Sequence, residues 1–108
     1  MAVYLELVLR DTRLRNNGGS YWTKTLPIGI PSVGDEIELT EGGWSETITA
    51  RYWKHNGDVM LLLPKVWVDP ESDAVIPKNG WRAWITEAEG GELVPSLVAS
   101  GWVEGVRN

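Results

Sequence analysis

A single histidine, His55, is the first place to look for acid–base or metal chemistry in this chain. A metal site needs several His, Cys or carboxylate ligands converging on one point, and a nucleophilic triad needs a base oriented by a third group. Cysteine is absent, which removes thiolate metal sites, redox pairs and disulfides together. His55 immediately precedes Asn56-Gly57, a strong hairpin-turn signal, so an exposed and non-catalytic histidine is expected. Asp35, Glu36 and Glu38 have the chemistry for acid–base work. Their alternation with Ile37 and Leu39 makes them the solvated face of a strand instead. Gly18-Gly19 and Gly42-Gly43 open no helix at phosphate-loop spacing. The sequence therefore predicts no catalytic residues, no metal and no cofactor: a protein that is not an enzyme.

Two constellations suit binding better than catalysis. In the segment 10–22, three arginines (Arg10, Arg13 and Arg15) stand beside a Tyr21-Trp22 pair, the chemistry that contacts phosphates and stacks a base. Its weakness is the balance of charge, since the whole chain carries a net −5 and nucleic-acid binders are usually basic over the interacting domain. The second constellation is Arg51, Trp53 and Met60, side-chain types enriched at the centres of protein interfaces. Seven Trp in 108 residues, with three Tyr and no Phe, exceed what a core of this size needs. Trp combines a large apolar body with one donor that wants a partner, which favours half-buried and interface positions.

Short strands must position these groups. Twelve Gly and six Pro cut the chain into pieces typical of an all-β domain. Val3, Leu5, Leu7 and Leu9 recur at period two and predict a first strand with one buried face. Residues 21–28 extend as a second strand. Asn56-Gly57 predicts a two-residue type I′ hairpin. That turn sets His55 opposite Asp58, Trp53 opposite Met60 and Tyr52 opposite Leu61. Ile48, Ala50, Tyr52, Val59, Leu61 and Leu63 then form a core face, with Arg51, Trp53, Met60 and Leu62 on the other. Residues 81–87 fit a strand better than a helix, since Arg82 and the later Glu87 and Glu89 oppose a helix dipole. Pro95 suits a first helical position and Gly101 a C′ position, so one short helix is expected at about 94–100, clasped by Trp102 on Leu97.

The length suits one domain spanning residues 1–108. Val33-Gly34-Asp35-Glu36-Ile37-Glu38-Leu39 followed by a long central hairpin resembles SH3-like barrels over residues 31–68. With the strands and terminal helix read above, that resemblance implies a mainly β fold: a small SH3-like barrel of five or six short antiparallel strands with one short C-terminal helix, the Trp-rich C-terminal third departing from a minimal barrel. It carries over no functional residues. The start of the chain has no basic n-region and no segment approaches a membrane span, so a cytoplasmic location and no membrane partner are expected. The functional expectation is a binding module that engages a protein partner, or its own copy, through exposed Trp and Arg. The first alternative is a nucleic-acid-associated accessory protein using residues 10–22. The second is a small inhibitor of the kind encoded by phages or mobile elements, which size and acidity alone suggest.

Overall fold

The alternation Val3, Leu5, Leu7, Leu9 organises the fold. A computed structural model describes residues 2–14, 18–27, 29–41, 44–70, 81–89 and 91–105. In it this segment forms β1 (Val3–Asp11), and all four side chains are buried. The chain returns antiparallel as β2 (Gly19–Leu26), which sets Leu7 opposite Trp22 and Arg10 opposite Gly19. A small hairpin of β3 (Glu36–Glu38) and β4 (Ser45–Thr47) lies off the main sheet. Next come β5 (Ala50–Trp53) and β6 (Val59–Leu62), then β7 (Lys65–Val68) and β8 (Trp81–Trp84). Helix α1 (Leu93–Ala99) and the short β9 (Val103–Gly105) complete the described chain.

Both neighbours on the second edge of β1 are parallel to it. β6 runs beside Val3–Glu6 and β7 beside Leu9–Asp11. They are consecutive pieces of one course, interrupted at Leu63-Pro64, where proline has no N–H to give to a ladder. Outside them, β5 pairs antiparallel with β6, and β8 pairs parallel with β7. On the other side β9 pairs with β2. One face of this sheet is dry. Leu5, Leu7, Val59, Leu61 and Val66 cluster there with Leu39 and Ile48 from the region of the small hairpin, and with Leu93, Leu97 and Trp102 from the helical segment. Each fully buried Leu or Val contributes roughly 1.5–3 kcal/mol by leaving water.

The helix ends as its sequence requires. Gly101 takes φ +89°, and its N–H donates to Val98 O at 3.2 Å while Trp102 N–H donates to Leu97 O at 3.0 Å. This is a Schellman closure, in which only glycine adopts the left-handed residue without strain. It turns Trp102 into the core, where the indole N–H donates to Leu39 O at 2.7 Å. Pro95 is the third helical residue, not the first, and still lies in the turn whose N–H groups have no intrahelical acceptor. Among the described residues no helix is long and apolar enough to cross a membrane.

Several expectations hold and three need correction. The fold is mainly β with one short C-terminal helix, and residues 81–84 are a strand. The sheet, however, is open and mixed, not a closed antiparallel barrel. Among the described residues its outer strands do not pair with each other, and α1 with the β3–β4 hairpin covers the core face in place of barrel closure.

The second correction concerns the central hairpin. Gly57 N–H donates to Lys54 O at 3.0 Å, and Lys54 N–H to Asp58 O at 2.8 Å. Residues 55–57 therefore form a three-residue loop, a turn followed by Gly57 in the left-handed region at φ +92°. Asn56 stays at negative φ and uses its side-chain oxygen to accept the Asp58 N–H at 3.0 Å, a local bond that Asn makes readily. One extra loop residue shifts the register by one. Trp53 faces Val59, Tyr52 faces Met60 and Arg51 faces Leu61.

The third correction follows from that shift. Ile48, Val59, Leu61 and Leu63 are core, but Tyr52 is 60% exposed and Ala50 half-buried.

The loop geometry sets different costs for its two central residues. Gly57→Ala is expected to lose about 1 kcal/mol, the strain of a side chain at positive φ, whereas Asn56→Ala loses only a surface hydrogen bond and costs less. Urea midpoints of the two variants measure this. Equal losses at both positions would restore the two-residue turn.

Candidate binding surfaces

Strand β5 is an edge. Among the described residues it has β6 on one side and no strand on the other. The Lys54–Asp58 hydrogen bond fixes the parity of the ladder: Ala50 and Tyr52 point their backbone groups at β6, and Arg51 and Trp53 point theirs outward. Trp53 is 53% exposed, and the Arg51 guanidinium carbon lies 6.0 Å from its ring centroid, a cation–π distance. Met60 is not with them. The register puts it between Tyr4 of β1 and Tyr52 of β5 on the opposite face, where it is 7% exposed. The expected Arg51–Trp53–Met60 surface is thus split across the sheet.

The second expected surface is taken apart more completely. Trp22 is a core residue, 3% exposed, with its N–H satisfied by Ser20 Oγ at 2.8 Å. Its position in β2 opposite Leu7 explains this, since both fall on the dry face. Arg15 lies outside the described residues. Arg13 is fully engaged by carboxylates: Asp11 at 2.6 Å, Glu92 at 2.7 Å and Asp69 at 3.0 Å. These come from the end of β1, the residue before α1 and the residue after β7. Asp69, at φ +47°, also accepts from the backbone N–H and hydroxyl of Thr86 at 2.9 and 3.0 Å, while the Thr12 hydroxyl bonds to its carbonyl. Arg13 is therefore a clamp between elements, not a free phosphate contact. The Asp11 carboxyl is held below the usual range by the Arg13 hydrogen bond, against the opposing effect of partial burial. The Arg13 guanidinium is held above its usual range by Asp11 first and Glu92 second.

A third group joins Arg10 and Tyr21 of the segment 10–22 to Lys65, Trp67 and Trp81, which escaped sequence reasoning. On the face of the sheet away from the core, Lys65 and Trp67 of β7 stand in register with Trp81 and Ala83 of β8, and Trp67 with Arg10 of β1. The indoles of Trp67 and Trp81 meet edge to face, with centroids 5.6 Å apart. Lys65 Nζ lies 5.5 Å and the Arg10 guanidinium carbon 5.9 Å from the Trp81 centroid. The Trp67 indole N–H is shielded from solvent and has no acceptor among the described residues. The alternation Lys65, Trp67 beside buried Val66 and Val68 carried the signal for one strand. Only the parallel β7–β8 pairing brings Trp81 to it. Tyr21 lies on the same face, over Gly105, where an added Cβ would meet its ring at 3.1 Å. Val8, Arg10, Gly19, Tyr21 and Gly105 border a hollow of about 300 Å³.

Not every aromatic–cation cluster is a surface. Arg82 sits between the rings of Trp44 and Trp84, at 5.7 and 5.3 Å, and pairs with Glu46 at 2.6 Å and Glu89 at 3.0 Å. Both indole N–H groups are satisfied, by Glu46 and by Gly91 O. This cluster is a structural lock at the sheet margin. His55 is exposed, and among the described residues no group of three or more His, Cys, Asp or Glu is placed to hold a metal ion. No family model, no curated protein and no solved structure matches this chain.

The Arg13 clamp predicts a pH-dependent stability. Its side chain is 41% exposed, so screening limits Arg13→Ala to a loss on the order of 1 kcal/mol at pH 7. Because the folded pKa of Asp11 is lowered, its stabilisation is present above the unfolded value near 4 and fades as pH falls through the folded value. Urea midpoints of the wild type and Arg13→Ala, measured from pH 7 to pH 2, are expected to converge at the acid end. A gap of constant size would assign the effect of Arg13 to packing.

Proposed function

We propose that this protein is a non-catalytic binding module whose partner is a second copy of its own chain, joined through the free edge of β5. The observation that carries this reading is the self-complementarity of that edge. If two β5 strands pair antiparallel about Tyr52, Arg51 of each copy lies opposite Trp53 of the other. The backbone N–H and C=O groups of those two residues already point outward, so this register makes hydrogen-bonded pairs of both. On one face each guanidinium meets the partner's indole, and on the other the two Tyr52 rings adjoin. A two-fold axis through Tyr52 satisfies the requirement that residue i contact j and j contact i. The unpaired edge strand with exposed aromatics is also a feature that a monomer would ordinarily blunt with charge, proline or a bulge. A cytoplasmic setting, where no disulfide is needed, fits a chain without cysteine.

The absence of cysteine makes the register directly testable. In an antiparallel pair the two residues on the axis at a non-hydrogen-bonded position have Cα atoms about 4.5 Å apart, within disulfide range. Tyr52→Cys is therefore expected to give a dimer linked by a disulfide under mild oxidation, and Lys54→Cys is not. Arg51→Pro removes an N–H that faces away from β6, so it is expected to leave the fold intact and abolish the dimer in sedimentation experiments. Trp53→Ala should weaken association by about 2 kcal/mol or more, as truncation of a central interface Trp commonly does. A wild-type protein that sediments as a monomer at high micromolar concentration would end this proposal.

A further inference from the structure

We propose that the open face of the sheet carries a separate site for single-stranded nucleic acid, with Trp81, Trp67 and Tyr21 as stacking surfaces and Arg10 and Lys65 as phosphate contacts. The residues lie on four adjacent strands in the order β8, β7, β1, β2, a span of about 14 Å at ordinary strand spacing. Arg10 and Lys65 are exposed and converge on the same indole. Every salt bridge among the described residues belongs to Arg13 or Arg82, so neither Arg10 nor Lys65 has a counter-ion there. Glu6, the acid on this face of β1, is four residues from Arg10, about 13 Å along a strand; it is nearer to Lys65, which the register sets beside Val8, so the positive charge is strongest at the Arg10 end. In an acidic chain this is a local positive patch, and an anion placed on it relieves the repulsion between the two cations.

The patch also has room and the shape for a ring. Gly19, opposite Arg10, contributes no side chain, and the hollow of about 300 Å³ between Arg10 and Tyr21 opens there. Alternating cationic and aromatic groups on an exposed sheet face match a strand whose phosphates and base faces alternate, and such stacking tolerates any base. A duplex hides its base faces. An acidic peptide satisfies the cations but leaves the rings and the hollow without a planar partner.

The probe is a fluorescein-labelled oligothymidylate of about twelve nucleotides, within the range that one small sheet domain covers, read by anisotropy and by quenching of Trp fluorescence. Binding is expected to weaken with salt at a log–log slope of about −1.4, for two phosphate contacts on a single strand. Arg10→Glu and Lys65→Glu, both at exposed positions, should each weaken binding about tenfold or more and flatten that slope. Trp81→Ala should lose about tenfold and most of the quenching; should that variant fail to fold, the two charge reversals still decide. Trp53→Ala is expected to bind as the wild type does, which keeps this site distinct from the β5 edge whatever becomes of the dimer. The proposal is overturned by no binding at low salt, by Arg10→Glu and Lys65→Glu variants that bind normally, by equal loss in Trp53→Ala, or by polyglutamate or duplex DNA binding as well as the oligonucleotide.

Discussion

Everything else in this molecule depends on the placement of β1. It is paired along both edges and dry on one face, so its neighbours have little freedom: β2 takes one edge, and the other is shared by β6 and β7 in succession. A parallel course along that edge requires a long connection from β1, and the chain uses part of it to form the β3–β4 hairpin that helps cover the core. The break at Leu63-Pro64 lets the outer strands differ, antiparallel β5 beside β6 and parallel β8 beside β7. Because α1 and the small hairpin cover one face, the sheet gains its core without closing into a barrel. The opposite face is left with Tyr21, Trp67 and Trp81, and this is where aromatic surface collects beyond the needs of the core.

The cations divide by whether geometry gives them carboxylates. Arg13 meets three, from elements far apart in sequence, and Arg82 meets two while lying between two indoles. Both are thereby part of the architecture. Arg10, Arg51 and Lys65 instead lie against Trp rings with no salt bridge among the described residues. A guanidinium over an exposed indole keeps its charge available, since the ring supplies only a weak attraction. In an acidic protein these three positions are where unpaired positive charge lies beside aromatic surface. They fall on two separate places, the β5 edge and the open face, which is why one composition supports two binding readings.

Local pattern was enough for those elements whose signal is contained in a few residues. The period-two leucines of β1 and the Pro95–Gly101–Trp102 grammar of the helix were legible because hydrophobic alternation and left-handed glycine caps act over short range. So were the exposure of His55 and of Trp53, both near a turn. The central hairpin shows the limit of such reasoning. Asn56-Gly57 marks a turn in either case, but two-residue and three-residue loops differ by one position, and that position exchanges every side chain between faces. The choice was made by Gly57 alone taking positive φ while Asn56 bonded to Asp58, a balance of local energies too fine to read from the dipeptide.

The amino-acid sequence by itself therefore determined a cysteine-free, mainly β chain with one capped terminal helix, because composition and short periodicities carry that information. Tertiary structure alone decided which aromatic and basic residues became core, clamp or surface. Trp22 and Arg13 look like a recognition pair in the chain, yet pairing with Leu7 buries one and three distant carboxylates hold the other. Trp67 and Trp81, fourteen positions apart, become neighbours only through the parallel register of β7 and β8. Burial and charge pairing are properties of what is brought alongside a residue, and no window of sequence contains the partners that β1 draws together.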